Sequence, residues 1–207
     1  MKSLTREESL TLEILETICA QSDVTQRHLA RRTGIALGLA NSYLKRCVRK
    51  GLIKVQQAPA NRYLYYLTPK GVAEKGRLTA HYLSNSFEFY RRAGQSCAEL
   101  FDECRRKSWD RITLCGASDL AEIASVRAIE HGISIESVYE PGGQRRRFLN
   151  HRVVDNIDAC RTSDGWVLTD LGNPQETYEY LLENLPAERV VVPEILRVNV
   201  RALEPGV

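Results

Sequence analysis

Residues 25–71 read TQRHLARRTGIALGLANSYLKRCVRKGLIKVQQAPANRYLYYLTPKG, and this stretch decides the fold of the first half of the chain. Leu29 lies on the apolar face of a short predicted helix, which Gly34 ends because glycine readily takes the left-handed conformation that closes a helix. A longer helix is predicted over 37–50. Its apolar stripe recurs at helical spacing and comprises Ala40, Tyr43, Leu44, Cys47 and Val48.

A β-hairpin follows this longer helix. Gly51 is the stop signal of the helix. Two strand-like runs over 54–57 and 63–67 then flank the polar tip QQAPANR. Ahead of the quoted stretch, apolar residues at helical spacing predict a further helix over 9–20. The order of helix, helix, turn, helix and hairpin predicts a winged helix-turn-helix whose wing is the hairpin.

The charge of this region has a single sign. Between Asp23 and Glu74 the chain carries ten Lys or Arg residues and no acidic residue. Residues 1–107 hold 19 Lys+Arg and 10 Asp+Glu, a balance of +9, whereas residues 108–207 hold 10 and 16, a balance of −6. A solvated protein face usually mixes both signs, so this stretch indicates a polyanionic partner.

Duplex DNA is the expected polyanion, with helix 37–50 in the major groove and the wing at phosphates or the minor groove. Asn41 has an amide suited to adenine, Lys45 can reach guanine or phosphate, and Arg62 is the wing-tip residue expected at the minor groove. The alternative is that these polar residues are merely exposed. The predicted DNA-binding residues are Arg27, Gly38, Asn41, Ser42, Lys45, Arg46, Arg49, Lys54 and Arg62.

The segments TQRHLARRTGIALGLANSYLKRCVRKGLIKV and YLYYLTPKGVAEKGRLTAHYL resemble MarR-type winged-helix regulators, most closely the branch associated with exopolysaccharide gene clusters. The resemblance covers residues 6–92 and rests on LA…GI, KGLI and LTPKG at this spacing. It implies double-stranded DNA as a partner and a homodimer as the assembly. Many wings of this family carry Asp-x-Arg at the tip. Here the tip reads PANR, so the salt bridge within the wing is missing.

A long helical region follows the wing. Thr68-Pro69 is a helix start, with a capping residue and then proline at the first helical position. Helical residues continue to Lys107 with a predicted break at Gly94, so two linker helices are expected over 69–108. An aromatic-rich face is marked by Leu78, Tyr82, Phe89 and Tyr90. Such a face can pack on the protein's own domains or on a second copy. We expect the dimer contact, since reading two half-sites requires two recognition helices one turn of duplex apart.

The last hundred residues have a different pattern. Apolar strand-like runs over 111–116, 133–140, 165–171 and 188–193 alternate with helical segments, which predicts a parallel, Rossmann-like sheet. The predicted fold class is therefore α/β. It comprises a winged helix-turn-helix domain (1–68), linker or dimerisation helices (69–108) and a small Rossmann-like domain (109–207).

The turn after the first of these strands partly matches a dinucleotide fingerprint. Gly116 matches its first glycine, Ser118 replaces the second, and Glu140 follows the second strand, where a ribose-binding acid belongs. Asp119 argues against a phosphate at this turn, because it puts a carboxylate at the helix N-terminus. It can also form a capping box with Glu122, which is a purely structural role. An arginine run further on either clamps an anion or is a solvated loop. The predicted ligand-binding residues are Gly116, Ala117, Ser118, Glu140, Arg145 and Arg147.

GASDLAE and FLNHRVVD resemble segments of the small Rossmann-like domains found before sugar-modifying transferases, over about residues 110–195. This resemblance implies a small anionic ligand from nucleotide-sugar metabolism. The order of a winged helix and then a Rossmann-like domain is also similar to that of NADH-sensing redox repressors, although Ser118 departs from their glycine pattern. The cofactor is left open: a nucleotide or nucleotide-sugar is the candidate, and no metal is expected.

Several functional classes have no support in the sequence. No apolar run approaches the roughly 20 residues of a membrane span, so a cytoplasmic protein is expected. The six scattered cysteines form no C-x-x-C pair, although Cys97 and Cys104 can share a helix face as a thiol switch. H-E-x-x-H, G-x-S-x-G and P-loop motifs are absent from the sequence. We therefore predict a regulator that is not an enzyme; the alternatives are an enzyme or an interaction module of nucleotide-sugar metabolism.

Overall fold

The computed structural model describes residues 4–59, 62–143 and 145–200, and it describes Arg62 by its backbone alone. The chain divides into two compact units, Met1–Glu88 and Phe89–Val207, which we call unit 1 and unit 2. The division falls inside a long helix, between the limits at 68 and 108 that the sequence suggested.

Unit 1 begins with three helices and a two-stranded sheet. Thr5 starts the first helix with a capping box, and Thr25 starts the second by accepting a hydrogen bond from the N–H of His28. Gly34 and Gly51 follow the second and third helices with φ of +64° and +71°, as their predicted stop roles require. The elements are α1 (Arg6–Ala20), α2 (Gln26–Arg32), α3 (Leu37–Arg49), β1 (Ile53–Ala58), β2 (Arg62–Leu67) and then α4 (Pro69–Arg106).

The core of unit 1 fixes α3 by its inner face. β1 and β2 pair in antiparallel fashion from Ile53 opposite Leu67 to Ala58 opposite Arg62. The buried cluster includes Ile14, Leu15, Leu29, Leu44, Cys47, Tyr65 and Leu78. The helices and wing predicted from the sequence are therefore present, and the outer face of α3 is left to solvent.

The helix α4 is continuous over 38 residues, so the predicted break at Gly94 and the predicted pair of linker helices are wrong. Thr68 Oγ1 accepts the N–H of Gly71 at 3.0 Å and donates to the carbonyl of Gly51 at 2.6 Å, which anchors the start of the helix. A glycine inside a helix costs only about 1 kcal/mol relative to alanine. A Cβ at Gly94 would lie 2.9 Å from Nη2 of Arg127, at the end of a flexible side chain that can shift to make room.

Unit 2 contains a mainly parallel sheet with helices between its strands. The elements after α4 are β3 (Arg111–Cys115), α5 (Asp119–Glu130), β4 (Ser134–Tyr139), β5 (Arg147–Phe148), β6 (His151–Val154), a 3-10 helix (Ile157–Cys160), β7 (Gly165–Leu168), α6 (Pro174–Asn184), a 3-10 helix (Ala187–Arg189), β8 (Val190–Val191) and a 3-10 helix (Glu194–Leu196). In the described part of unit 2 the six strands have the order β5-β6-β4-β3-β7-β8, and β5 and β6 are the only antiparallel pair among them. The predicted alternation of strands and helices is observed, and the hairpin β5–β6 is an addition.

The sheet of unit 2 is packed on both faces. Cys115, Tyr139 and Trp166 cluster with Tyr178 and Leu181 of α6. The other cluster joins the sheet to α5 and to the last turns of α4, and its buried α4 residues are Ala93, Cys97, Leu100, Phe101 and Cys104. The C-terminal part of α4 is therefore a core helix of unit 2, which differs from the linker role that the sequence suggested.

Candidate nucleic-acid interface

The outer face of α3 carries an exposed strip. Gly38, Ser42, Lys45 and Arg49 follow one another at helical spacing and are all exposed. Ala40, Leu44 and Cys47 are buried on the opposite side of the helix. At a rise of 1.5 Å per residue the strip is about 16 Å long, which is more than the roughly 12 Å width of a major groove.

Arg46, also predicted to bind DNA, is occupied by a partner within the protein. Its Nη1 lies 2.6 Å from Oε1 of Glu7, and its guanidinium lies 5.4 Å from the ring centroid of Tyr43. The hydrogen bond and charge of Arg46 lower the pKa of the Glu7 carboxyl, and Glu7 in turn raises the pKa of Arg46. Arg46 is thus half-buried against α1, to one side of the exposed strip.

The remaining predicted residues lie on three elements. Arg27 on α2 and Lys54 on β1 are exposed, and Asn41 is half-buried beside the strip of α3. The side chain of Arg62, and with it the predicted wing-tip contact, lies outside the described residues. The tip residues Ala60 and Asn61, on which the missing salt bridge of the wing depends, also lie outside them.

Two leucines at the start of α3 were missed by the sequence reading. Leu37 and Leu39 are 48% and 43% exposed, on either side of Gly38. Apolar side chains at such a position can contact the methyl group of thymine in the major groove. The available signal was their spacing, which sets both leucines outside the stripe of Ala40, Leu44 and Cys47.

Four of the six predicted ligand residues of unit 2, Gly116, Ala117, Ser118 and Glu140, lie at the carboxyl edge of its sheet. The N–H of Gly116 donates to the carbonyl of Tyr139 at 2.9 Å, so the turn after β3 lies beside the end of β4, which Glu140 follows. Gly116 has φ of +112°, and a Cβ there would lie 2.5 Å from the backbone of Asp170. Close packing against the turn after β7 therefore requires this glycine.

Ser118 is engaged by its own neighbours. Its Oγ accepts hydrogen bonds from the N–H groups of Leu120 and Ala121, at 3.1 and 3.4 Å, and donates to the carbonyl of Thr169. The structure therefore places a capping serine where the fingerprint has its second glycine, and two amides that would face a phosphate are already used. The half-buried Ala117 packs against the hydrophobic core beside this turn.

Glu140 differs from Ser118 because it has an unused acceptor. Its Oε2 is buried and has no hydrogen-bond partner among the described residues. Gly143 allows this arrangement, since a Cβ there would lie 2.6 Å from the same oxygen. Buried polar atoms in proteins nearly always have a partner, so this oxygen marks a candidate ligand contact.

The structure does not bring Arg145 and Arg147 into hydrogen-bond contact with Gly116, Ser118 or Glu140 within the described part of the chain. Both arginines are exposed near the hairpin β5–β6, and Nη2 of Arg147 donates to the carbonyl of Asn150 at 3.2 Å. Gln144, which was part of the predicted arginine-rich loop, lies outside the described residues.

The aromatic-rich face predicted for the middle helix is only partly correct. Leu78 is fully buried in the core of unit 1. Tyr82 is 55% exposed, and Phe89 and Tyr90 are also exposed. Leu83 and Phe87, which the sequence reading did not single out, are exposed too, with Phe87 at 61%. The exposed aromatic side chains of this helix therefore all follow Leu78.

The cysteines at 97 and 104 do not have the environment of a thiol switch. Both are buried, and burial raises the pKa of the Cys97 thiol to about 11 and that of Cys104 to about 12.

Among the described residues, no group of three His, Cys, Asp or Glu side chains is placed to hold a metal ion. In the same ranges no helix combines the length and apolarity needed to cross a membrane.

Comparison with solved structures gives partial matches to transcription regulators. They include the PcaV transcriptional regulator from Streptomyces coelicolor (25% identity, 48% of this chain, 76% of that chain, TM-score 0.39) and MepR, a transcription regulator of the Staphylococcus aureus multidrug efflux pump MepA (21%, 42%, 63% and 0.36). A third is a Mycobacterium tuberculosis MarR family protein in complex with p-aminosalicylic acid (16%, 38%, 61% and 0.35). The chain spans less than two thirds of the length of the last two, and TM-scores this low carry no functional argument.

No curated protein gives a significant match to the chain. A comparison with family models matches residues 8–54 to the family described as winged helix-turn-helix DNA-binding. The match covers α1, α2, α3 and the start of β1, which are the elements that position the exposed strip. Residues 8–54 are therefore similar to a winged helix-turn-helix family, in agreement with the helices and the wing that unit 1 contains.

Proposed function

We propose that this chain is a cytoplasmic, MarR-type transcription regulator whose winged helix binds double-stranded DNA. The observation that carries the proposal is the strip of Gly38, Ser42, Lys45 and Arg49, exposed on α3 within a stretch that has no acidic residue between Asp23 and Glu74. The core of unit 1 does not use this cationic face of α3, and such a face is what a helix in the major groove presents to DNA.

The proposed docking divides the residues by chemistry. Asn41 and Lys45 contact base edges, with the leucines at 37 and 39 against thymine methyl groups. Arg27, Arg49 and Lys54 contact phosphates, which position the protein without reading sequence. Arg62 contacts the duplex from the wing. Arg46 contributes less than its charge suggests, because Glu7 already holds it.

A double substitution tests this docking. K45A/R49A removes two charges from the strip without touching the buried stripe of α3, and we expect duplex affinity to fall by roughly tenfold or more at physiological salt. Fluorescence anisotropy with a labelled 40-base-pair duplex measures it. The matched control, K75A/R91A, removes two cations from α4 and should stay within about twofold. Equal affinities for both variants would contradict the docking.

The assembly that we propose is a homodimer formed through α4. Tyr82 and Leu83 of unit 1 are exposed next to each other on this helix and Phe87 is exposed one turn further on, with 45% of Leu83 open to solvent. A row of large apolar side chains on one helix is typical of a helix–helix interface. A second copy satisfies it and also supplies the second recognition helix that two half-sites require.

A second candidate function is ligand sensing by unit 2, and the unpartnered Oε2 of Glu140 favours it. The strand order β6-β4-β3-β7-β8 reverses at β3, which supports a Rossmann-like domain with its site at the carboxyl edge. Because Ser118 uses the nearby amides, we infer that the site accepts the hydroxyl groups of a ribose or sugar instead of a pyrophosphate at those amides. The ligand is then a nucleotide-sugar held chiefly through its sugar.

Calorimetric titration tests this second function with UDP-glucose and NADH as probes. If Glu140 accepts hydroxyl donors, E140Q should weaken binding of whichever probe binds by about tenfold, since it replaces a charged acceptor. Duplex affinity measured with and without the probe tests the sensing step, because a ligand shifts a two-state equilibrium only by its differential affinity. Unchanged ligand binding by E140Q, or equal duplex affinity in both conditions, would contradict sensing through this residue.

A further inference from the structure

The hairpin β5–β6 of unit 2 is strongly basic in a part of the chain that is otherwise acidic. Between Arg145 and Arg152 there are four arginines and one histidine and no acidic residue, whereas residues 108–207 together carry −6. The four arginines, Arg145, Arg146, Arg147 and Arg152, are all exposed. In the described part of the chain none of them forms an ion pair.

Two of these arginines repel each other within the sheet. Arg147 and Arg152 are directly opposite across the antiparallel pair, so their side chains leave the same face of the hairpin. Like charges in this position destabilise the pairing. Exposed charge at a sheet edge commonly blocks edge-to-edge association, but that role does not need a facing pair of arginines. An anion lying against both side chains offsets their repulsion.

The tip of the hairpin has a second unusual feature. Leu149 is the first of its two tip residues and has φ of +51°, a conformation in which glycine is usual for a two-residue turn. Its side chain is 52% exposed. The chain therefore carries an apolar side chain, in a disfavoured backbone conformation, at the tip of the hairpin. Such an outlier indicates a functional constraint.

We propose that the hairpin β5–β6 is a second DNA-binding element, in which the arginines contact duplex phosphates and Leu149 lies against the minor groove. This inference rests on the proposed function, since it adds a contact to that of the winged helix. Basic arms with an apolar tip are suited to the minor groove, where arginine meets concentrated negative potential and an apolar side chain can enter a base step.

Duplex DNA fits the hairpin better than the other anionic partners. A small free anion could contact the facing pair Arg147 and Arg152, but it leaves unused Arg145 and Arg146, which are exposed in the segment before the hairpin. A membrane surface needs an apolar face, and the described hairpin offers Leu149 while Phe148 is buried. An extended row of phosphates matches a row of separate cations.

The salt dependence of binding tests the proposal in the full-length protein. Affinity for a 40-base-pair duplex is measured from 50 to 200 mM salt for the wild type, R145A/R152A and the control R92A/R106A, which removes two exposed α4 arginines from the same unit. We expect R145A/R152A to bind about tenfold more weakly at 150 mM. The slope of log affinity against log salt should become shallower by about 2, because two phosphate contacts are lost. The control should retain the wild-type slope.

The tip requires a separate variant. L149G should fold with equal or higher melting temperature, because glycine suits the positive φ, and yet bind the duplex several-fold more weakly. Wild-type binding by both hairpin variants while K45A/R49A binds weakly would overturn this inference and leave the winged-helix proposal intact. Loss of binding to phosphatidylserine vesicles or to ATP in R145A/R152A, with duplex binding unchanged, would also overturn it and assign the arginines to a membrane surface or a free nucleotide.

Discussion

At the scale of single residues, a substitution at Gly38 distinguishes a contact with DNA from a purely structural role. A Cβ at this position would meet no atom of the protein within 4 Å. Gly38→Ala should therefore stabilise unit 1, by up to about 1 kcal/mol, since alanine is the better helix former. If the α3 backbone approaches the duplex closely there, the same substitution weakens binding. Urea unfolding and duplex anisotropy measure the two effects, and unchanged affinity would show that the backbone does not come close to DNA at this position.

The buried thiols make a prediction about pH. Because burial raises the pKa of Cys97 to about 11, the unfolded chain loses this proton near pH 9 while the folded chain keeps it. Stability should thus fall as pH rises from about 9 to 11, by about 1.4 kcal/mol per pH unit for this thiol. Urea unfolding of the wild type and of Cys97→Ala at pH 8 and pH 10.5 checks it. The wild type should lose more stability than the variant over this interval, and equal losses would contradict the buried position.

At the scale of elements, the exposed residues of α4 predict how the protein assembles. Leu83→Asp places a charge in the middle of the apolar row and should convert a dimer into a monomer. The folded monomer should keep its helical content, because Leu83 is outside the buried core of unit 1. Analytical ultracentrifugation of wild type and variant measures the change. A variant that stays dimeric would place the dimer contact elsewhere.

The elements of unit 1 were predictable because their signals are local. Periodicity, capping residues and the glycines at 34 and 51 gave α2, α3 and the wing, and α1 starts only three residues before its predicted first residue. Gly94 misled because a glycine is a local signal for a break, whereas the burial of Ala93 and Cys97 in the core of unit 2 supports a continuous helix at this point. The strands β5 and β6 were missed because they are two and four residues long and rich in arginine.

For the candidate sites, too, local features could be predicted from the sequence and contacts between distant residues could not. The strip on α3 could be read from helical spacing alone, since the buried stripe fixes which residues face outward. The engagement of Arg46 by Glu7 could not, because the two residues are far apart in sequence and meet only through the packing of α1 and α3. Likewise, the bond that Ser118 donates to the carbonyl of Thr169, 51 residues away in the sequence, could not be read from local spacing.

At the scale of the whole molecule, the two halves of the sequence have opposite net charges. Residues 1–107 carry +9 and residues 108–207 carry −6, so the net charge of +3 conceals a strongly basic first half. The basic hairpin of unit 2 stands out against its acidic background for the same reason. Long-range attraction between such a basic region and a duplex speeds association and weakens steeply with added salt.

The salt dependence of duplex binding by the wild-type protein is the most direct test of the central claim that unit 1 lies against DNA phosphates. Contact with about six phosphates predicts that log affinity falls with log salt at a slope near −5 between 50 and 200 mM. A slope near zero, or no measurable binding at 50 mM, would contradict the claim.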